Sequence, residues 1–138
     1  MLNENDIVQI LTEYLKKNSY KIIQSLTTDE KGVDIIADNL LNNQRLYVEV
    51  KGETSSKSYT NRFGKSFSGG QIRNHISRAV FASMVILSSK PAGDKTKVAI
   101  ALPVTDGHKK EIETIAKALK TLHIKVFWVN EDGVTEDF

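Results

Sequence analysis

The chain has 138 residues, 40% of them apolar, and a formal net charge of +2, which suits one folded domain and excludes a disordered segment. It contains no cysteine, so disulfides and thiolate metal sites are excluded, and its three histidines, His75, His108 and His123, have no zinc-ligand spacing. No apolar run approaches a membrane span and the start MLNENDIVQ is too polar for a signal peptide, so a cytoplasmic location without a membrane partner is expected.

Residues 4–18 place Ile7, Ile10, Leu11, Tyr14 and Leu15 at helical spacing, and Asn18-Ser19 ends the pattern. YKIIQSLT, residues 20–27, reads as a strand. A turn over Thr28 to Gly32 leads to a second strand, Val33 to Ala37, and a turn over Asn39 to Gln44 leads to a third, residues 45–51. Short connections predict an antiparallel meander. Residues 52–69 form a long Gly-, Ser- and Thr-rich segment, a length that is uncommon inside a compact domain and often functional. Residues 70–88 return to helical spacing through Ile72, Ile76, Ala79, Val80, Met84 and Leu87, and Pro91 and Gly93 stop the helix. Lys97 to Leu102 reads as a strand, a helix capped by Thr105 or Asp106 runs to about Leu122, and Ile124 to Val129 is a final strand. That spacing predicts a parallel crossover, and the acidic tail EDGVTEDF is expected to fray. The order α-β-β-β-α-β-α-β over a single domain, residues 1–138, predicts an α/β fold of three layers, a mixed sheet flanked by helices on both faces.

Charge is unevenly spread. Residues 1–50 balance to −3, residues 51–100 to +7 and residues 101–138 to −2, so the central third resembles a polyanion-facing surface as much as a solvated lysine face. Strand alternation gives Leu46, Val48 and Val50 to a core and turns Tyr47, Glu49 and Lys51 the other way. Val33, Ile35 and Ala37 share a face of the preceding strand and leave Asp34 opposite. Pairing through the Asn39–Gln44 turn would bring Asp34 near Glu49, with Lys51 alongside. Two carboxylates set close together repel unless a proton or cation intervenes, so the grouping suits a divalent cation with oxygen ligands. Such an ion can activate water and stabilise charge on a phosphate, with Lys51 positioning the water or stabilising the transition state. An ordinary cross-strand salt bridge is the plainer reading of the same residues.

The stretch GVDIIADNLLNNQRLYVEVKG resembles the core motif of the PD-(D/E)xK nuclease superfamily, with its restriction-endonuclease-like fold. Asp34, Glu49 and Lys51 match the motif positions, with 14 residues between Asp34 and Glu49 and Val33 in place of the motif proline. The start of the chain is most similar to the small archaeal Holliday-junction resolvases, although TTDEKG has no counterpart of their serine-bearing stretch. The resemblance implies that Asp34, Glu49 and the Val50 carbonyl ligate Mg²⁺, for which Mn²⁺ can substitute. It also implies that Glu4, with Asp6 as the second choice, is the acid of the first helix, and that Gln71 approaches the metal from the second. The implied activity is a metal-dependent DNA endonuclease hydrolysing phosphodiester bonds, acting on structured or branched DNA in repair, recombination or restriction. A homodimer would suit the cutting of two strands. The alternative is a non-catalytic nucleic-acid-binding or interaction module that keeps the fold. Lys57, Arg62 and Lys65, interleaved with Tyr59, Phe63 and Phe67, and then Arg73 and Arg78, are the expected nucleic-acid contacts.

Overall fold

The computed structural model describes residues 1–55, 64–89 and 95–138; Lys57, Tyr59, Arg62, Phe63, Pro91 and Gly93 lie outside them. The elements are α1 (Glu4–Lys17), β1 (Tyr20–Ser25), β2 (Ile35–Asn39), β3 (Arg45–Val50), α2 (Gly69–Ser89), β4 (Thr96–Pro103), α3 (Asp106–Thr121), β5 (Ile124–Asn130) and β6 (Gly133–Asp137). The strands form one six-stranded sheet in sequence order. β1, β2 and β3 are antiparallel, β3, β4 and β5 are parallel, and β6 returns antiparallel to β5. The parallel pairs need crossovers, which α2 and α3 supply.

Alternation along the strands builds the three expected layers. Leu46, Val48, Val50, Ala99, Ala101, Phe127 and Val129 face Ile7, Leu11 and Leu15 of α1. Val98, Ile100, Leu102, Ile124, Val126 and Trp128 face Ile72, Ile76 and Ala79 of α2 and Ile112 and Leu119 of α3. β4 and β5 are therefore covered on both sides, which is why their sequences read as nearly continuous apolar runs. Among the described residues no helix is long and apolar enough to cross a membrane.

The tail is not frayed. It forms β6, whose Val134 packs against the α1 core. Glu136 accepts a hydrogen bond from the Tyr14 hydroxyl at 2.6 Å and pairs with the Lys125 ammonium at 2.7 Å. Desolvation and the Glu136 contact push the Tyr14 hydroxyl up to about 12, so it stays a donor. The acids that suggested a solvated tail tie β6 to α1 and β5.

Candidate active site

The β2–β3 ladder pairs Ile35 with Val48 and Ile36 with Tyr47, and the same register sets Asp34, one residue ahead of β2, opposite Glu49. The ladder stops there because its next partners are taken. The Val50 N–H donates to Asp34 Oδ2 at 2.8 Å, and the Val33 carbonyl accepts from Gln24 Nε2 at 2.8 Å. The Asp34 carbonyl accepts the Leu26 N–H at 2.8 Å. β1 also carries a register shift between Ile22 and Gln24, a bulge of the kind that re-aims side chains beside a site. Asp34 is thus held on both its backbone and its side chain.

The Asp34 and Glu49 carboxyl groups lie close enough for each to act on the other's titration. Burial is the largest cause raising both above the ordinary carboxylate range. The charge of Asp34 adds to the rise at Glu49, which is pushed up to about 7. For Asp34 the Val50 N–H opposes the rise, and for both groups the Lys51 charge does. The two therefore titrate as a pair.

Glu4, the first residue of α1, also pushes Glu49 upward. Its approach depends on Gly52. A Cβ on Gly52 would lie 2.7 Å from the Glu4 nitrogen and 2.8 Å from the Asn3 carbonyl carbon, so only glycine lets the end of β3 press against the α1 N-terminus. Leu2 and Glu53 bond backbone to backbone alongside, at 2.9 Å. Asp6 is engaged elsewhere. It is the third helical residue of a capping box, accepting the Asn3 N–H while its own N–H donates to Asn3 Oδ1, both at 2.9 Å.

The other expected site residues divide. The Gln71 side-chain oxygen accepts the Ser68 N–H at 2.9 Å, while the Gln71 N–H reaches Ser68 Oγ at 3.3 Å, so Gln71 caps α2. Arg73 pairs with Glu111 of α3 at 3.0 Å, which turns it along the helix pair. Arg78 is exposed, and its charge is felt at His75. Lys65 is exposed just ahead of α2. Lys57 and Arg62 lie outside the described residues.

Two histidines without an expected role enter the same end of the sheet. His75 is half-buried with its ring edge-on to Phe67 at 4.6 Å, and it lies in the field of Lys51. Desolvation and then the charges of Lys51 and Arg78 hold it below the ordinary histidine range. His108, in the first turn of α3, is fully buried, with Nδ1 2.6 Å from Thr105 Oγ1 and no partner for Nε2 among the described residues. Burial and His75 push it down to about 4. Their spacing in the chain gives no signal; they come within electrostatic reach of each other because α2 and α3 both start at the ends of parallel strands, where crossover folds gather functional groups.

The donor set of the pair, oxygens only, fits a hard divalent cation, which would relieve the repulsion between the two carboxylates. Among the described residues no group of three or more His, Asp or Glu side chains is gathered closely enough to hold a metal. A bound ion would rest on Asp34, Glu49 and backbone or solvent oxygens, as Mg²⁺ accepts.

No protein-family model matches the chain, and no curated protein matches it. The resemblance to the PD-(D/E)xK nucleases thus rests on the residues themselves. Among solved structures it is similar to Pyrococcus furiosus SfsA in complex with Ca²⁺, at 14% identity and a TM-score of 0.38. That match covers 95% of this chain and 58% of the SfsA chain.

Proposed function

We propose that this chain is a metal-dependent DNA endonuclease that hydrolyses phosphodiester bonds at the Asp34–Glu49–Lys51 end of the sheet. The observation that carries the reading is the β2–β3 register, which sets the half-buried Asp34 and Glu49 carboxylates opposite each other, with Asp34 fixed by the Val50 N–H and both in the field of the Lys51 ammonium. Such a pair is poorly satisfied without a cation and well suited to one. When bound, Mg²⁺ or Mn²⁺ supplies a Lewis acid that stabilises negative charge building on a phosphate. Asp34, Glu49 and the Val50 carbonyl would hold it, both carboxylates being ionised when they do so. Lys51 orients the attacking water or stabilises the pentavalent phosphorus, and Glu4 adds negative charge behind Glu49. Arg78, Lys65, Lys57 and Arg62 contact the phosphate backbone, which positions the strand without reading sequence.

Magnesium-dependent nicking of supercoiled plasmid, followed by labelled duplex, single-stranded, flap and four-way substrates, tests the reading. Nicking that requires Mg²⁺ and disappears in Asp34→Ala is expected. Cleavage that survives Asp34→Ala refutes the assignment. Binding of the same substrates without cleavage by the wild type favours the non-catalytic nucleic-acid-binding module instead.

A further inference from the structure

At the opposite end of the sheet, where β3, β4 and β5 begin, a cavity of about 470 Å³ is lined by Tyr20, Lys97, Lys120, His123, Lys125 and Phe138, over buried Leu46 and Val98. Leu46 stands three residues before Glu49 on the same strand, so the cavity lies about 10 Å along β3 from the carboxylate pair at strand spacing. Its size is that of a small-molecule site; it runs across the ends of the strands, meeting Leu46 from one face of the sheet and Val98 from the other, with aromatic and basic side chains in its lining.

The cations there are all of one sign but not all compensated. Lys125 is neutralised by Glu136 at 2.7 Å. Lys120 belongs to the last turn of α3, where a helix C-terminus favours a cation, and its ammonium sits 5.4 Å over the Phe138 ring. Lys97 has no such reason. It is half-buried on β4, and among the described residues neither it nor Lys120 has a carboxylate within ion-pair distance. An ammonium group at a cavity mouth without a carboxylate partner is available to an anionic ligand. Two uncompensated cations match the charge of a phosphate monoester, about −1.5 to −2 at neutral pH. The rings of Phe138 and Tyr20 supply faces on which a base can stack.

We propose that this cavity binds a nucleoside monophosphate, free or at the end of a DNA strand, with its phosphate between Lys97 and Lys120 and its base against Phe138 and Tyr20. The proposal does not depend on cleavage at the carboxylate pair. Amide-resolved NMR titrations of the full chain test it, with deoxyadenosine 5′-monophosphate, deoxyadenosine, inorganic phosphate, and oligonucleotides bearing a 5′-phosphate or a 5′-hydroxyl. The monophosphate should shift the amides of Leu46, Val98 and His123 saturably, and deoxyadenosine and inorganic phosphate should each bind at least roughly tenfold more weakly. The double variant Lys97→Gln/Lys120→Gln should weaken binding at least roughly tenfold, whereas Lys97→Arg should retain it. Equivalent shifts from the 5′-phosphorylated strand and none from the 5′-hydroxyl strand would identify the strand end as a source; shifts from the free nucleotide alone would identify a small-molecule ligand. The proposal is overturned if none of the phosphorylated probes shifts these amides, if deoxyadenosine binds as well as its monophosphate, or if the double variant binds normally.

Discussion

Replacing Asp34 with asparagine isolates the energetic consequence of the carboxylate pair. In the wild type, Glu49 has a folded value of about 7 against an ordinary 4.5, so between those pH values the folded state holds a proton that the unfolded state has released. Stability from this group is therefore fully present below about pH 4.5 and is lost as the pH rises through about 7. Asp34, also raised, acts in the same direction. At about 1.4 kcal/mol per pH unit, and reduced for solvent screening of a half-buried carboxylate, the loss from pH 5 to pH 8 is roughly 1–2 kcal/mol. Burial is the largest cause of the rise and Asp34 the second, so Asp34→Asn should remove less than half of it, roughly 0.5 kcal/mol. His75 and His108 are both depressed and work with the opposite sign below neutrality, but they cancel when variant and wild type are compared. Urea unfolding at pH 5 and pH 8 without divalent metal measures the difference. Wild type should lose more stability than Asp34→Asn over that interval. Identical losses, or a larger loss in the variant, would refute the argument that Asp34 helps to hold Glu49 protonated.

Lys51→Met should lower single-turnover DNA cleavage in Mg²⁺ by roughly 100-fold or more while leaving DNA affinity nearly unchanged, because the ammonium acts on the reacting phosphate. Gly52→Ala forces a Cβ against the backbone of Asn3 and Glu4, and the urea midpoint should fall by the equivalent of about 1–3 kcal/mol. His108, held at about 4 by burial, contributes stability present above its ordinary value of 6.5 and lost as the pH falls through 4. His108→Asn should therefore flatten the acid limb of a stability–pH profile between pH 7 and pH 4.

The hairpin was legible because strand alternation and a short turn leave little freedom in which side chains meet. Asp34 and Glu49 followed from that, as did the core residues of β3. The fate of Gln71 was also written locally: Ser68-Gly69-Gly70-Gln71 has the spacing of a capping box, and the cap explains its side chain. β6 was hidden because charge dominates its composition, while its fixing contacts come from Tyr14 and Lys125, distant in sequence. The pairing of Arg73 with Glu111 and the approach of His75 to His108 depend on how two crossover helices pack, which no local pattern encodes.

The central claim, that Asp34 and Glu49 form a seat for a divalent cation, is tested most directly by titrating Mn²⁺ into the chain without DNA at pH 8 and following free Mn²⁺ by electron paramagnetic resonance. One ion should bind the wild type with a dissociation constant of roughly 1 mM or tighter, and Asp34→Asn and Glu49→Gln should each weaken it by at least about tenfold. Absence of binding at about 10 mM, or equal binding by the wild type and both variants, would contradict the claim.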